Sequence, residues 1–170
     1  MKHIIIASIA AGCLMAQGPD YKTLSGTART IQNAVKNNVI KSADKMPAEF
    51  YSFQPTDAVR TFGQLVGHIA DANNNFCSGA AGEANPAPGI EKSKTTKADL
   101  TAALKAAFDY CDKVYSGLTD AQAVEIIKFR NQERNKLSLL TFNSFHSNLH
   151  YGNIVTYMRL KNLVPASSER

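Results

Sequence analysis

The chain has 170 residues, one domain's worth and enough for a real core. With 44% hydrophobic and 19% charged residues, no low-complexity tract and no internal repeat, it has the composition of a soluble globular protein. The net charge of +5 comes from 19 basic and 14 acidic residues, but the Lys and Arg are scattered, so no phosphate-tracking stripe forms and nucleic acid is not an expected partner.

The chain opens with MKHIIIASIAAGCLMAQ: a basic start at Lys2, an apolar run from Ile4 to Ala16, and small residues near its end. This is the layout of a secretory signal peptide over residues 1–16, too short for a permanent membrane span. Cleavage after Ala16 leaves Gln17 first, and residues 17–170 form a single domain, periplasmic or secreted. Acylation at Cys13 ranks second, because Ala10 stands where a lipoprotein signal usually has a larger aliphatic residue. No later segment is long and apolar enough to span a membrane. The mature chain then holds two cysteines, Cys77 and Cys111, either a disulfide or two buried thiols.

Spacings of three and four among Leu24, Ala28, Ile31, Val35, Val39 and Ala43 predict an amphipathic helix over 22–46, ended by Pro47. PAEFYSFQPTDAV is a loop, with Thr56 or Asp57 placed to cap the next helix. A second helix over 61–81 carries Phe62, Leu65, Val66, Ile69, Ala72 and Phe76 inward. After the breaker-rich stretch from Gly82 to Thr96, a third helix over 97–115 buries Leu100, Leu104, Ala107, Phe108, Cys111 and Val114, and Gly117 closes it. A helical turn at Thr119 and an extended VEIIKF precede a last helix over 137–162.

Four such helices make an all-α, four-helix bundle. About fifteen residues at ~3.3 Å each can run back along a helix of ~30 Å, so helices two and three can lie parallel, joined by a long crossover. Cys77 and Cys111 would then fall at one level.

The mature chain has three histidines. His146 and His150, in FHSNLHYGN, are one turn apart and share a helical face. His68 lies between Leu65, Ile69 and Ala72, on the margin of the second helix's apolar stripe, and Phe142, Leu149 and Ile154 bracket the pair on the core-facing side of the last helix. Three inward imidazoles left unpaired would each cost ~1–3 kcal/mol, whereas one divalent metal ion takes three lone pairs at once. A His₃ set without cysteine or carboxylate has the character of an open, catalytic-type site more than a closed structural one. Three imidazoles suit Zn, Ni, Cu and Fe alike.

SFQPTDAVRTFGQLVGHIADAN at 52–73 and FHSNLHYGNIVTYMRLKNLVPASSE at 145–169 resemble the DinB/YfiT-like family, over most of the mature chain. The resemblance implies a four-helix bundle with parallel helices two and three, frequent homodimers, and a metal held by His68, His146 and His150. Family members with a known activity use low-molecular-weight thiols, such as mycothiol or bacillithiol, in transfer or isomerisation, and are mostly cytoplasmic; this chain has an export signal. Ser147, Asn148 and Leu149 put no carboxylate base between the paired histidines. Asp71 and Asn153 are spaced to orient an imidazole. Of Asn73, Asn74 and Asn75, at least one should approach the cavity, whereas Tyr51, Tyr151 and Tyr157 pack their rings or supply a hydroxyl. The expectation is a metal-dependent hydrolase or transferase acting on a small molecule, or else a non-catalytic metal-binding or structural bundle.

Overall fold

The computed structural model describes residues 18–169. The expected signal peptide over residues 1–16, its expected cleavage point and Cys13 lie outside the described residues. The helices are α1 (Leu24–Lys45), α2 (Phe62–Ala81), α3 (Ile90–Ser93), α4 (Lys97–Gly117), α5 (Asp120–Ala123) and α6 (Lys136–Leu160). A two-stranded antiparallel hairpin, β1 (Ile126–Phe129) and β2 (Gln132–Asn135), precedes α6. Among the described residues no helix is long and apolar enough to cross a membrane.

Local chemistry sets the helix ends. The Thr23 hydroxyl accepts from the Gly26 amide to start α1, and Met46 turns extended ahead of Pro47 to stop it. Neither Thr56 nor Asp57 caps α2. Thr61 does, in a reciprocal capping box with Gln64, because it stands three residues before a side chain able to return the bond. Gly82, at φ 73°, ends α2 in a left-handed cap, its amide bonded to the Ser78 carbonyl.

The four long helices form the expected bundle. Cys77 of α2 and Cys111 of α4 are joined in a disulfide with Cα atoms 5.4 Å apart. A Cβ placed on Gly63, near the start of α2, would lie 3.1 Å from Leu100, near the start of α4. The two helices therefore run parallel. The crossover between them is not simply extended: it folds into α3, which packs on α2.

Two apolar clusters fill the bundle, one including Val35, Val39, Ile69, Phe108 and Ile154, the other Ala28, Phe76, Cys77, Cys111 and Leu140. Between them runs a polar layer drawn from all four helices. Asn73 Oδ1 accepts from Gln32 Nε2 and Asn143 Nδ2, both at 3.1 Å, and its own amide donates to Ser147 Oγ at 3.0 Å. Tyr115 donates to the Leu140 carbonyl at 2.6 Å and meets Ser144, which donates to Gln32. Gln32, Asn73, Asn143 and Ser147 are fully buried.

This layer redirects three predicted stripes. Gln32 faces in where Ile31 was expected, and Ile31 is exposed. On α6, Phe142 and Leu149 are exposed and Asn143, Ser144 and Ser147 turn inward, so of the three bracketing residues only Ile154 is core. On α4, Tyr115 is buried and Val114 only partly so. A polar network whose groups are mostly paired, here all but Asn143 Oδ1 among the described residues, can occupy a core face at modest net cost, so hydropathy period alone misplaces it.

Candidate metal centre

His68 projects from α2, a helix that is apolar on the bundle side. His146 and His150 project from one face of the antiparallel α6. Their ring centroids lie 5.1 Å (His68–His146), 4.7 Å (His68–His150) and 4.5 Å (His146–His150) apart. One ring nitrogen from each falls within 4.8 Å of the others, close enough to hold one metal ion.

The surroundings suit a cation ligated by neutral imidazoles. Burial lowers the pKa of all three rings, most for His146 and His150, which fall to about 4. The neighbouring imidazoles and the Arg60 guanidinium add to the effect on that pair, and Arg60 to that on His68. At neutral pH each ring thus keeps a lone pair. His68 Nδ1 is 3.2 Å from Glu91 Oε2, and donating there leaves its Nε2 for a ligand. The Asn153 amide nitrogen lies 3.4 Å from His150 Nδ1, so a free Nε2 on that ring requires the amide to turn its oxygen toward Nδ1. His146 Nδ1 is buried with no hydrogen-bond partner among the described residues. Buried polar atoms are nearly always paired, so this orphan fits a site completed by something outside the chain.

Glu91 is the site residue that sequence reasoning missed. It arrives on α3, in the connection read only as breaker-rich. Asp71, expected to orient an imidazole itself, instead accepts the backbone amides of Ile90 at 2.8 Å and Glu91 at 2.9 Å, and so fixes α3 on α2. Gly67 lets that segment close in: a Cβ there would be 2.8 Å from the Glu91 Cα. The second Glu91 oxygen accepts from Arg60 Nε at 2.8 Å. No periodicity links positions 68 and 91, so only the crossover's path brings them together. Asn153 does lie against His150, as its spacing suggested.

Space opens on two sides. A cavity of about 290 Å³ is bordered by His68, His146, Asp71, Asn75, Phe76 and Arg130. A second, of about 470 Å³, lies beside His150 with Arg60, Asn153 and Tyr157. Of the asparagine run, Asn75 reaches the first cavity, Asn73 belongs to the buried layer, and Asn74 donates to the Ala87 carbonyl. The Tyr51, Tyr151 and Tyr157 hydroxyls bond Ala43, Ser167 and Arg60 respectively, and none reaches a histidine.

The DinB superfamily's sequence profile matches residues 33–154, a span that includes all three histidines. The chain belongs to the DinB superfamily. Among solved structures, a DinB-like protein from Bacillus cereus superimposes with a TM-score of 0.75 at 19% identity, covering 86% of this chain and 97% of its own. A DinB-like protein from Bacillus subtilis gives 0.68 at 22% identity, covering 84% and 98%. A conserved protein from Enterococcus faecalis gives 0.67 at 13% identity, covering 81% and 96%. At these identities the likeness is one of fold. No curated protein matches the sequence significantly. For this DinB-superfamily chain, the histidine cluster is therefore the part of the fold that speaks to function.

Proposed function

We propose that this DinB-superfamily protein is an exported metal-binding protein in which His68, His146 and His150 hold one divalent ion, and that it acts as a hydrolase or transferase on a small molecule. The observation that carries the reading is the convergence of three largely uncharged imidazoles, from helices distant in sequence, on a site with no carboxylate among its ligands and space on either side. When bound, such an ion would polarise a substrate oxygen or sulfur, or lower the pKa of water.

The chain's own residues set the stage. Glu91 fixes the orientation of His68, and Arg60 steadies Glu91 through an ion pair. Phe76 and Phe142 pack their rings around His146 at 5.7 and 6.4 Å and limit its rotation. Export is supported by the signal-like N-terminus and by the Cys77–Cys111 disulfide, a bond that persists in oxidising compartments.

Elemental analysis of untagged protein should find about one divalent ion per chain, and His146→Ala should bring it near zero. Metal-free wild type whose melting temperature does not respond to Zn²⁺, Ni²⁺ or Mn²⁺ would defeat the proposal. Loaded protein that admits no exogenous ligand, such as azide, to the ion would retain the metal and remove the catalytic role.

A further inference from the structure

The hairpin before α6 has no counterpart in the metal argument, yet its tip points chemistry at the same site. β1 and β2 pair Phe129 with Gln132, leaving Arg130 and Asn131 as the two turn residues, at φ 48° and 64°. Two positive φ values suit a hairpin turn that favours Asn-Gly. Asn131 is at ease there, whereas an arginine in the left-handed region costs about 1 kcal/mol and is uncommon. Side chains held in such conformations concentrate at functional sites.

The hairpin docks on α2, and its exposed arginine lies against the seam. Gly79 on α2 leaves room for the Phe129 ring, since a Cβ there would lie 2.5 Å from Phe129 Cδ2. Phe129 in turn packs on Phe76, with centroids 5.8 Å apart. The Arg130 guanidinium rests over both rings, 5.3 Å from the Phe129 centroid and 5.9 Å from that of Phe76, and lines the 290 Å³ cavity beside His68 and His146. Arg60, across the site, is already paired with Glu91, but no carboxylate pairs with Arg130 among the described residues. Asn75, in the same wall, has a side-chain amide with no hydrogen bond among the described residues. Asp71 also faces the cavity, with both oxygens taken by backbone amides.

We propose that this cavity binds a small carboxylate, its anionic group on the Arg130 guanidinium and the Asn75 amide, its body against Phe76, and its far end beside His68 and His146. A planar guanidinium matches a carboxylate in two parallel bonds. Apart from any metal at the histidines, the cavity offers a single unpaired guanidinium beside Asp71, which matches a monoanion better than a phosphate dianion. The placement of the far end rests on the metal reading; the anion end does not.

Saturable binding of benzoate, benzamide and phenylphosphonate, followed by protein NMR shifts on the zinc-treated chain, tests the proposal. Benzoate should shift residues around Arg130 and Phe76 and bind at least tenfold more tightly than benzamide. Arg130→Gln and Arg130→Gly should each weaken benzoate about tenfold while zinc stoichiometry and the fold, read by circular dichroism, stay unchanged; glycine also accepts the turn's backbone angles. Equal benzoate affinity in wild type and both variants overturns the proposal and leaves the metal site standing. Tighter binding of phenylphosphonate than of benzoate overturns the carboxylate assignment. Arg130-dependent benzoate binding by a chain that takes up no zinc supports the carboxylate site and defeats the metal reading instead.

Discussion

At the residue scale, the chemistry of the site lies in how each imidazole's second nitrogen is treated. His68 is oriented by a carboxylate, His150 has the Asn153 amide beside its Nδ1, and His146 Nδ1 has no partner among the described residues. Loss of an orienting partner typically lowers metal affinity 10–100-fold. Glu91→Gln should therefore weaken zinc binding by at least about tenfold in a competition titration, without the collapse expected of His146→Ala. The lowered pKa values also fix a pH dependence. His146 and His150 titrate near 4 when folded and near 6.5 when unfolded, so between those values the unfolded chain binds more protons. Stability of the metal-free protein should be lost as pH falls from about 6.5 toward 4, and a His146→Ala/His150→Ala double variant should show a flatter melting temperature across that window.

At the scale of elements, α3 is the small piece that matters most. Four residues long, it is held by Asp71 and by the close approach that Gly67 allows, and it delivers Glu91 to His68. Gly67→Ala would drive a methyl into the Glu91 backbone. The expected result is a loss of about 1–3 kcal/mol in chemical denaturation together with weaker metal binding, since the carboxylate must retreat. Gly79 does the same service for the hairpin by admitting Phe129. α6 carries the other lesson: its inward face is largely hydroxyl and amide near its middle, so its core side cannot be found by looking for apolar residues.

For the whole molecule, two features tie the helices together. The disulfide joins α2 to α4 across 34 residues, and closing a loop of that length removes about 4 kcal/mol of unfolded-chain entropy. Reduction should lower the melting temperature clearly, but slowly under native conditions, because both cysteines are fully buried. The polar layer joins all four long helices through Asn73. Asn73→Ala would strand the Gln32 amide in a buried setting and leave the Asn143 amide with its longer bond to the Tyr115 hydroxyl, at a cost of about 1–3 kcal/mol in a urea titration.

The sequence by itself determined the four long helices, their approximate ends, the crossover that allows a parallel pair, and the three histidines, because helical period, proline and glycine stops and i,i+4 spacing are local signals. It also placed an extended segment, VEIIKF, over the strand at Ile126–Phe129, though it started that segment two residues early and did not show the hairpin. What only the tertiary structure decided was which polar residues enter the core and which distant groups meet the site. Gln32, Asn143 and Ser147 are buried because each finds a partner on another helix, and Glu91 reaches His68 and Arg130 the cavity beside it because a crossover and a hairpin fold back over α2. Hydrogen-bond complementarity between segments far apart in the chain leaves no periodic trace in any one of them.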